Sequence, residues 1–453
     1  MTDAIATYLE THKARHLEEL KTFLSIPSVS TDPAHKKDLQ RCAQWLASHL
    51  KELGIQGVEI HETPGHPIIY ANHCDKPGKP TVLLYGHYDV QPPEPLEEWV
   101  SPPFEPTIRD GKIFARGATD DKGQLFCHVK ALEAHMAVYG ELPVNVKLLI
   151  EGEEEVGSNN LEPWVSANKE LLAADSVVIS DSSMYAPGLP SITYALRGLI
   201  YFEVTVTGPG HDLHSGLYGG AVPNPINVLA KIIGQLHNDD GTIAVPGFYD
   251  NVRALEQDER DAFAELPFEA DAFLREVNAK GAMGEEGYTT LEHTWARPTL
   301  DCNGIWGGFT GEGAKTVIPS KASAKISCRL VPNQDPEVLA AKVEAYMREL
   351  APEAVTLEFD FHHGATPVIT ERDNPTVQAA MRAQKKAWGT ESVFIRSGGS
   401  IPVVATFAQT LFTPSVLMGL GLADDRLHSP NEKFDLQNFY KGILTCTHFY
   451  SEL

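Results

Sequence analysis

His87 and Asp89 stand two residues apart, just after an apolar run, Thr81-Val82-Leu83-Leu84. Side chains alternate across a strand, so the two point to the same side at its carboxyl end. An imidazole beside a carboxylate can belong to a metal site, where one ligates and the other orients the ring or ligates too. It can equally be a turn that holds both residue types. Three later segments bear on the choice: residues 111–118 run into Asp120 and Asp121, 144–150 into Glu153-Glu154-Glu155, and 176–180 into Asp181. One acid after a strand is ordinary turn chemistry or a helix N-cap. Four successive strand ends carrying metal-ligand atoms point to a metal centre. Within that set Asp120 and Asp121 can also be caps, and Glu153 reads as solvated. Glu154 and Glu155 are adjacent and would raise one another's pKa unless cations separate their roles.

The segments that must position these residues alternate between strand and helix. Residues 1–52 read as two helices split around Ile26-Pro27-Ser28, and helices are expected over 124–139 and 161–172. Such alternation indicates an α/β sheet, whose sites form beyond the carboxyl ends of its strands. The texture changes at residue 195. A half-exposed strand ending near Thr207, a helix over 227–236, β alternation over 315–331, a helix over 336–350 and a strand over 355–361 suggest a separate, inserted α+β domain at 195–365. The catalytic domain is then discontinuous, 1–194 and 366–453, with a central mixed sheet flanked by helices. Residues 250–300 are acidic and irregularly helical. Chain 366–453 returns through Ser397-Gly398-Gly399-Ser400 and a loop holding His428 to a closing helix.

Length and composition set outer bounds. At 453 residues two domains are expected, and 42% apolar with 22% charged residues is ordinary for a globular protein. A net charge of −24 argues against nucleic acid or an anionic membrane as partner. The six cysteines are scattered, with no Cys-x-x-Cys pair, which suits a reducing cytoplasm and leaves His and carboxylates to hold any transition metal. No stretch reaches the length of a membrane span. Gly308 to Thr316 resembles a phosphate-binding loop, but Ala314 interrupts the motif and a strand follows it. His128 and His135 read as packing or surface residues, and His362-His363 carries no assignment.

Taken together, His87-x-Asp89, Asp120-x-Lys122-Gly123, Glu154-Glu155-x-Gly157-Ser158, Asp181 and His428 resemble the di-zinc peptidases and deacylases, which include carnosinases, cytosolic dipeptidases, aminoacylases and acetylornithine deacetylase. Leu213-His214-Ser215-Gly216, residues 313–319, Gly398-Gly399-Ser400-Ile401-Pro402 and His428-Ser429-x-Asn431-Glu432-Lys433 look most like the dipeptidase branch. The resemblance implies that His87, Asp120 and Asp181 bind one divalent metal and that Asp120, Glu155 and His428 bind the other. It implies zinc, with manganese or cobalt as alternatives. Asp89 would orient His87, and Glu154 would be the general base that activates the attacking water. His214 would polarise the substrate carbonyl from the partner subunit, which implies a homodimer built through the inserted lid domain. Arg329 would grip the free carboxylate of a small peptide, with Thr316 and Ser400 as hydroxyl contacts. The expected reaction is dipeptide hydrolysis; the alternative is an N-acyl amino acid deacylase or carboxypeptidase-like amidohydrolase on the same site. One departure stands out: Arg396-Ser397 precede the glycine pair, where cytosolic dipeptidases carry an acid.

Overall fold

The computed structural model describes residues 2–453. The chain divides into two compact units. One comprises residues 1–194, 370–395 and 406–453; the other comprises 195–369 together with 396–405. The stretch around Gly398 therefore belongs to the second unit.

The first unit is built on a mixed sheet. Its strands lie in the order Glu59–His61, Ile68–His73, Asn145–Glu151, Thr81–His87, Ser176–Ile179, Ser415–Leu417 and Ser191–Leu196. The middle is parallel: Thr81–His87 pairs in parallel with Asn145–Glu151 and with Ser176–Ile179, which pairs in parallel with Ser415–Leu417. Strands buried on both faces read as continuous apolar runs, and Val82 to Tyr85, Leu148 to Ile150 and Val177 to Ile179 are all buried. Helices Thr2–Leu24, Lys36–Glu52, Lys122–Tyr139, Pro375–Trp388 and Leu436–Glu452 pack into the same core. Lys122–Tyr139 is buried on every side from Lys122 to His135. Such immersion places polar side chains in the interior, where they need partners. Lys122 Nζ donates to the carbonyls of Ile26 and Phe23 at 2.7 and 3.2 Å, and His128 lies 2.8 Å from Ser180 Oγ and 2.9 Å from the Tyr450 hydroxyl. His128 and His135 are thus packing residues.

A small three-stranded sheet matters for the site. Lys433–Asp435 pairs antiparallel with Lys112–Phe114, in the register Lys433 to Phe114. One strand leads into Asp120 and the other follows His428, so the pairing brings together two loops distant in sequence.

The second unit is an antiparallel sheet in the order Thr299–Gly307, Lys321–Leu330, Gly198–Thr207 and Thr356–Ala365. Helices Pro225–Gly234 and Pro336–Leu350 contribute to its core. Gly198–Thr207 alternates buried and half-buried along its length, as a strand with one covered face does. The helix expected over 227–236 starts earlier, because the Asn224 side chain caps it and Pro225 suits its first turn. The helix expected over 161–172 breaks in two at Asn168, whose side chain donates to the Trp164 carbonyl. Residues 250–300 contain short helices, Gln257–Ala264, Ala270–Glu276 and Thr290–Trp295, tied by Arg260 to Glu292 at 2.7 Å and Arg297 to Glu285 at 2.6 Å. Among the described residues no helix is long and apolar enough to cross a membrane.

Candidate metal centre

Ligand-type side chains converge beyond the carboxyl ends of the parallel strands. His87 closes Thr81–His87 and is fully buried. Its Nε2 lies 3.1 Å from Asp120 Oδ1 and 3.8 Å from Asp181 Oδ2. His428 Nε2 lies 3.0 Å from the other oxygen of Asp120 and 3.4 Å from Glu155 Oε2. Two triads result, His87/Asp120/Asp181 and Asp120/Glu155/His428, each with its ligand atoms within 4.8 Å of one another. Asp120 belongs to both and presents a different oxygen to each histidine.

Asp89 stands behind His87. Its Oδ1 is 3.3 Å from His87 Nδ1, and the ring also faces the Asp89 carbonyl at 3.1 Å. The same carboxylate accepts the backbone N–H groups of Glu154 and Glu155, at 3.3 and 3.1 Å. It therefore lies against the imidazole and holds the turn that carries the two glutamates. Glu154 is half-buried, and its carboxylate takes no hydrogen bond from the described residues. Glu153 is not solvated as expected: it is buried, and Asn160 Nδ2 donates to both its oxygens. A third glutamate here would crowd the site, so the fold turns it away against Gly65, where a Cβ would collide with it.

Several contributors had no expected role at the metal centre. Gln91 Nε2 donates to Glu155 Oε2 at 2.8 Å. Asp121, expected as a possible cap, makes no capping hydrogen bond with its side chain and instead accepts the His87 backbone N–H at 3.3 Å. The Asp120–Asp121 peptide bond is cis. Glu432, fully buried, accepts from the backbone N–H groups of Gly117, Thr119 and Asp120 and pairs with buried Arg116 at 2.8 Å. Glu432 was visible as part of a motif but without a role.

The electrostatics fit cations. Burial pushes the carboxyl of Asp181 up to about 7 and that of Glu155 up to about 8, with the Asp120 charge adding to both. Burial likewise raises Glu154. Asp120 goes the other way: burial opposes its ionisation, but the hydrogen bonds from His428 and His87 win, and it lies below the usual carboxylate range. So many buried carboxyls facing two histidines carry more negative charge than the pocket tolerates alone. Divalent cations relieve it, and a His and carboxylate donor set suits transition metals.

In the second unit, Leu213–His214 pairs with Val317–Ile318, and the Thr316 carbonyl accepts from Ser215 N–H at 3.0 Å. His214 and Thr316, both exposed, thus lie on adjoining segments. His214 Nδ1 accepts the Gly216 N–H at 3.0 Å. The neutral ring then carries its proton on Nε2, available to donate outward. Arg329 Nη1 donates to Ser400 Oγ at 3.3 Å.

A parallel-centred α/β sheet and a small antiparallel sheet that together deliver two His-carboxylate triads sharing one aspartate, with a free glutamate beside them, have the design of a two-metal hydrolase. A model of Peptidase family M20/M25/M40 matches residues 83–452, and the chain belongs to that family of metal-dependent peptidases. It is 36% identical to the Cys-Gly metallodipeptidase dug1 of Schizosaccharomyces pombe, over 99% of this chain and 98% of that protein. It is 32% identical to the human Beta-Ala-His dipeptidase, over 100% of this chain and 93% of that protein. Among solved structures, an M20 family metallo-carboxypeptidase from Sulfolobus solfataricus superposes with a TM-score of 0.81 at 34% identity, covering 96% of this chain and 98% of that one.

Proposed function

We propose that this protein is a dipeptidase that hydrolyses the peptide bond of dipeptides or short peptides with a free C-terminal carboxylate. The observation that carries the reading is Asp120, whose two oxygens face the His87/Asp181 pair and the His428/Glu155 pair, next to an unpartnered Glu154. His87, Asp120 and Asp181 would hold one divalent cation, and Asp120, Glu155 and His428 the other. When bound, the pair supplies Lewis acidity and lowers the pKa of a water. Glu154 takes the proton of the attacking water and returns it to the leaving amine, a role that a half-buried carboxyl with raised pKa suits. Asp89 keeps the His87 ring in place while charge builds up at the site.

His214 Nε2–H donates to the carbonyl oxygen of the scissile bond, from the second unit of a partner copy. A homodimer is supported by the largely exposed outer strands Thr299–Gly307 and Thr356–Ala365, which show Ile305, Trp306 and Phe361 to solvent. Arg329 takes the substrate carboxylate, for which a planar guanidinium fork is suited, with Thr316 at the same subsite. Zinc is the metal we favour for this donor set, and the cytoplasm the compartment, since all six cysteines are free.

Incubating the zinc- or manganese-loaded protein with unblocked dipeptides and with N-acetyl amino acids tests the reading. Faster turnover of the dipeptides is expected. Preference for the acyl series, or for long peptides trimmed one residue at a time, would establish instead the deacylase or carboxypeptidase reading. The likeness to a metallo-carboxypeptidase favours the latter of the two.

A further inference from the structure

Arg197 lies between Ser191–Leu196 and Gly198–Thr207 and holds most of the Ser397–Ser400 segment. Its backbone N–H donates to the Ser397 carbonyl at 3.2 Å, and its Nε donates to the Gly398 carbonyl at 3.0 Å. Its own carbonyl accepts the Ser400 hydroxyl. Nη1 reaches the carbonyls of His293 and Arg297 at 3.5 Å each, which ties the 250–300 segment to the same residue. The packing leaves no slack: a Cβ on Gly398 would lie 2.8 Å from Arg197 Nη2 and 2.8 Å from the Thr294 carbonyl.

Ser400 has one proton to donate and spends it on the Arg197 carbonyl. Towards Arg329 Nη1, 3.3 Å away, its oxygen can only accept. Ser400 in this arrangement is no donor to a substrate carboxylate. It orients Arg329 instead, and Arg329 keeps its remaining N–H groups for an anion. Charge points the same way: among the described residues neither Arg197 nor Arg329 forms an ion pair. Burial, and then the charge of Arg329, draw the Arg197 guanidinium down to about 10. Two neighbouring guanidiniums, offset only in part by the Asp301 carboxylate, make a local site for an anion in a protein of net charge −24.

We propose that Arg197 is the positioning residue of the carboxylate subsite, clamping Gly398 and Ser400 so that Ser400 aims Arg329 at the substrate's free carboxylate. This rests on the reading of Arg329 as the residue that takes that carboxylate.

The test compares KM for a dipeptide and for its C-terminal amide in the metal-loaded enzyme, across Arg329→Ala, Arg197→Met, Arg197→Lys, Gly398→Ala and Ser400→Ala. Arg197→Met should raise KM for the free acid about tenfold or more, with kcat changed little and KM for the amide unmoved. Gly398→Ala should reproduce this by displacing Nη2, and serves if Arg197→Met does not fold. Ser400→Ala should act in the same direction but less than Arg329→Ala. Arg197→Lys keeps the charge without the fork and should not rescue. Full rescue by lysine, or equal KM changes on acid and amide, would overturn the positioning role. If Arg329→Ala itself fails to distinguish acid from amide, the reading of Arg329 falls first. If Arg329→Ala distinguishes them and the Arg197 and Gly398 variants do not, this inference alone fails.

Discussion

Glu432 accepts a hydrogen bond from the backbone N–H of Asp120 at 3.2 Å, across 312 residues of sequence. The same carboxylate receives Thr119 and Gly117 N–H at 3.0 Å each and the Arg116 guanidinium. The loop that ends in Asp120 is thus wrapped around one buried anion, and that anion sits four residues beyond His428. The contact places Asp120. Removing one partner of a buried ion pair costs about 3–5 kcal/mol, so Glu432→Ala should lower thermal stability sharply. It should also weaken binding of both metals, since Asp120 would lose its orientation in each triad. Metal content measured on the folded fraction checks this; two tightly held ions per chain in that variant would refute it.

Metal and protons should compete at the site. In the metal-free protein burial holds Asp181 up to about 7 and Glu155 up to about 8, while their ordinary values are 3.8 and 4.5. At these two groups the folded chain binds more protons than the unfolded one between about pH 4.5 and 8, and the stability they contribute falls as pH rises. Burial of His49, held down to about 4, and of His128, down to about 3, acts with the opposite sign only below their ordinary 6.5. His428, raised to about 9 chiefly by its hydrogen bond to Asp120, adds a contribution of the same sign above its ordinary 6.5. Asp120, lowered, contributes the opposite sign, but only below its ordinary 3.8, outside this window. Metal-free protein should thus melt at higher temperature at pH 5.5 than at pH 8, and added zinc should reverse the order. Loading at pH 6.5 should release protons, measurable with an indicator dye in weak buffer. A melting temperature of the metal-free protein that rises with pH would contradict the argument.

His87, Glu155 and Asp181 were legible because each ends or closely follows a strand of the central sheet, which hydrophobic runs mark plainly; Asp120 and His428 lie in loops beside the small sheet. His87, Asp120, Glu155, Asp181 and His428 could be picked out from that pattern and the family resemblance. The supporting contacts were not legible, for a physical reason. Glu432 and Arg197 act on backbone N–H and C=O groups, which every residue has, so no pairing of side-chain types announces them. Ser400 shows the converse: the resemblance implies a substrate contact, while its one donated proton goes to the Arg197 carbonyl. Glu153 is buried and not solvated because Asn160, in an ordinary-looking turn, donates to its carboxylate.

Glu154 and Glu155 are neighbours with different surroundings. Glu155 faces His428 and Gln91, whereas Glu154 takes no hydrogen bond from the described residues. Glu154→Gln should cut kcat by about 10²–10⁴-fold, the usual range for a lost general base, with metal content unchanged. Glu155→Ala should lose metal and activity together. Metal analysis beside kinetics separates the two, and metal loss from Glu154→Gln would exchange the assignments.

Glu19, His49 and Glu133 also bring ligand atoms within 4.8 Å of one another. A lysine already fills that space: Lys130 Nζ lies 2.5 Å from Glu19, 2.7 Å from His49 and 2.6 Å from Glu133. Its ammonium is the counter-ion of the group, linking Thr2–Leu24 and Lys36–Glu52 to Lys122–Tyr139. Lys130→Met should therefore destabilise the chain by about 3–5 kcal/mol in urea unfolding of the metal-loaded protein. The metal bound per chain by the native protein should not exceed what the two triads hold, so a third tight site in a zinc titration would show this cluster to be a metal centre after all.

His214 is exposed, with Nδ1 already accepting the Gly216 N–H, so its outward Nε2–H has no task within the described chain. If it serves the site of a partner copy, chains that lack only His214 and chains that lack only Glu154 should complement each other. His214→Ala and Glu154→Gln should each be nearly inactive alone. Co-expressed in equal amounts, half of the dimers are mixed, and each mixed dimer has one site with both residues intact. About a quarter of wild-type activity should return, and tagging the two chains differently lets the mixed species be purified and assayed by itself. No recovery in purified mixed dimers would place His214 at the site of its own chain.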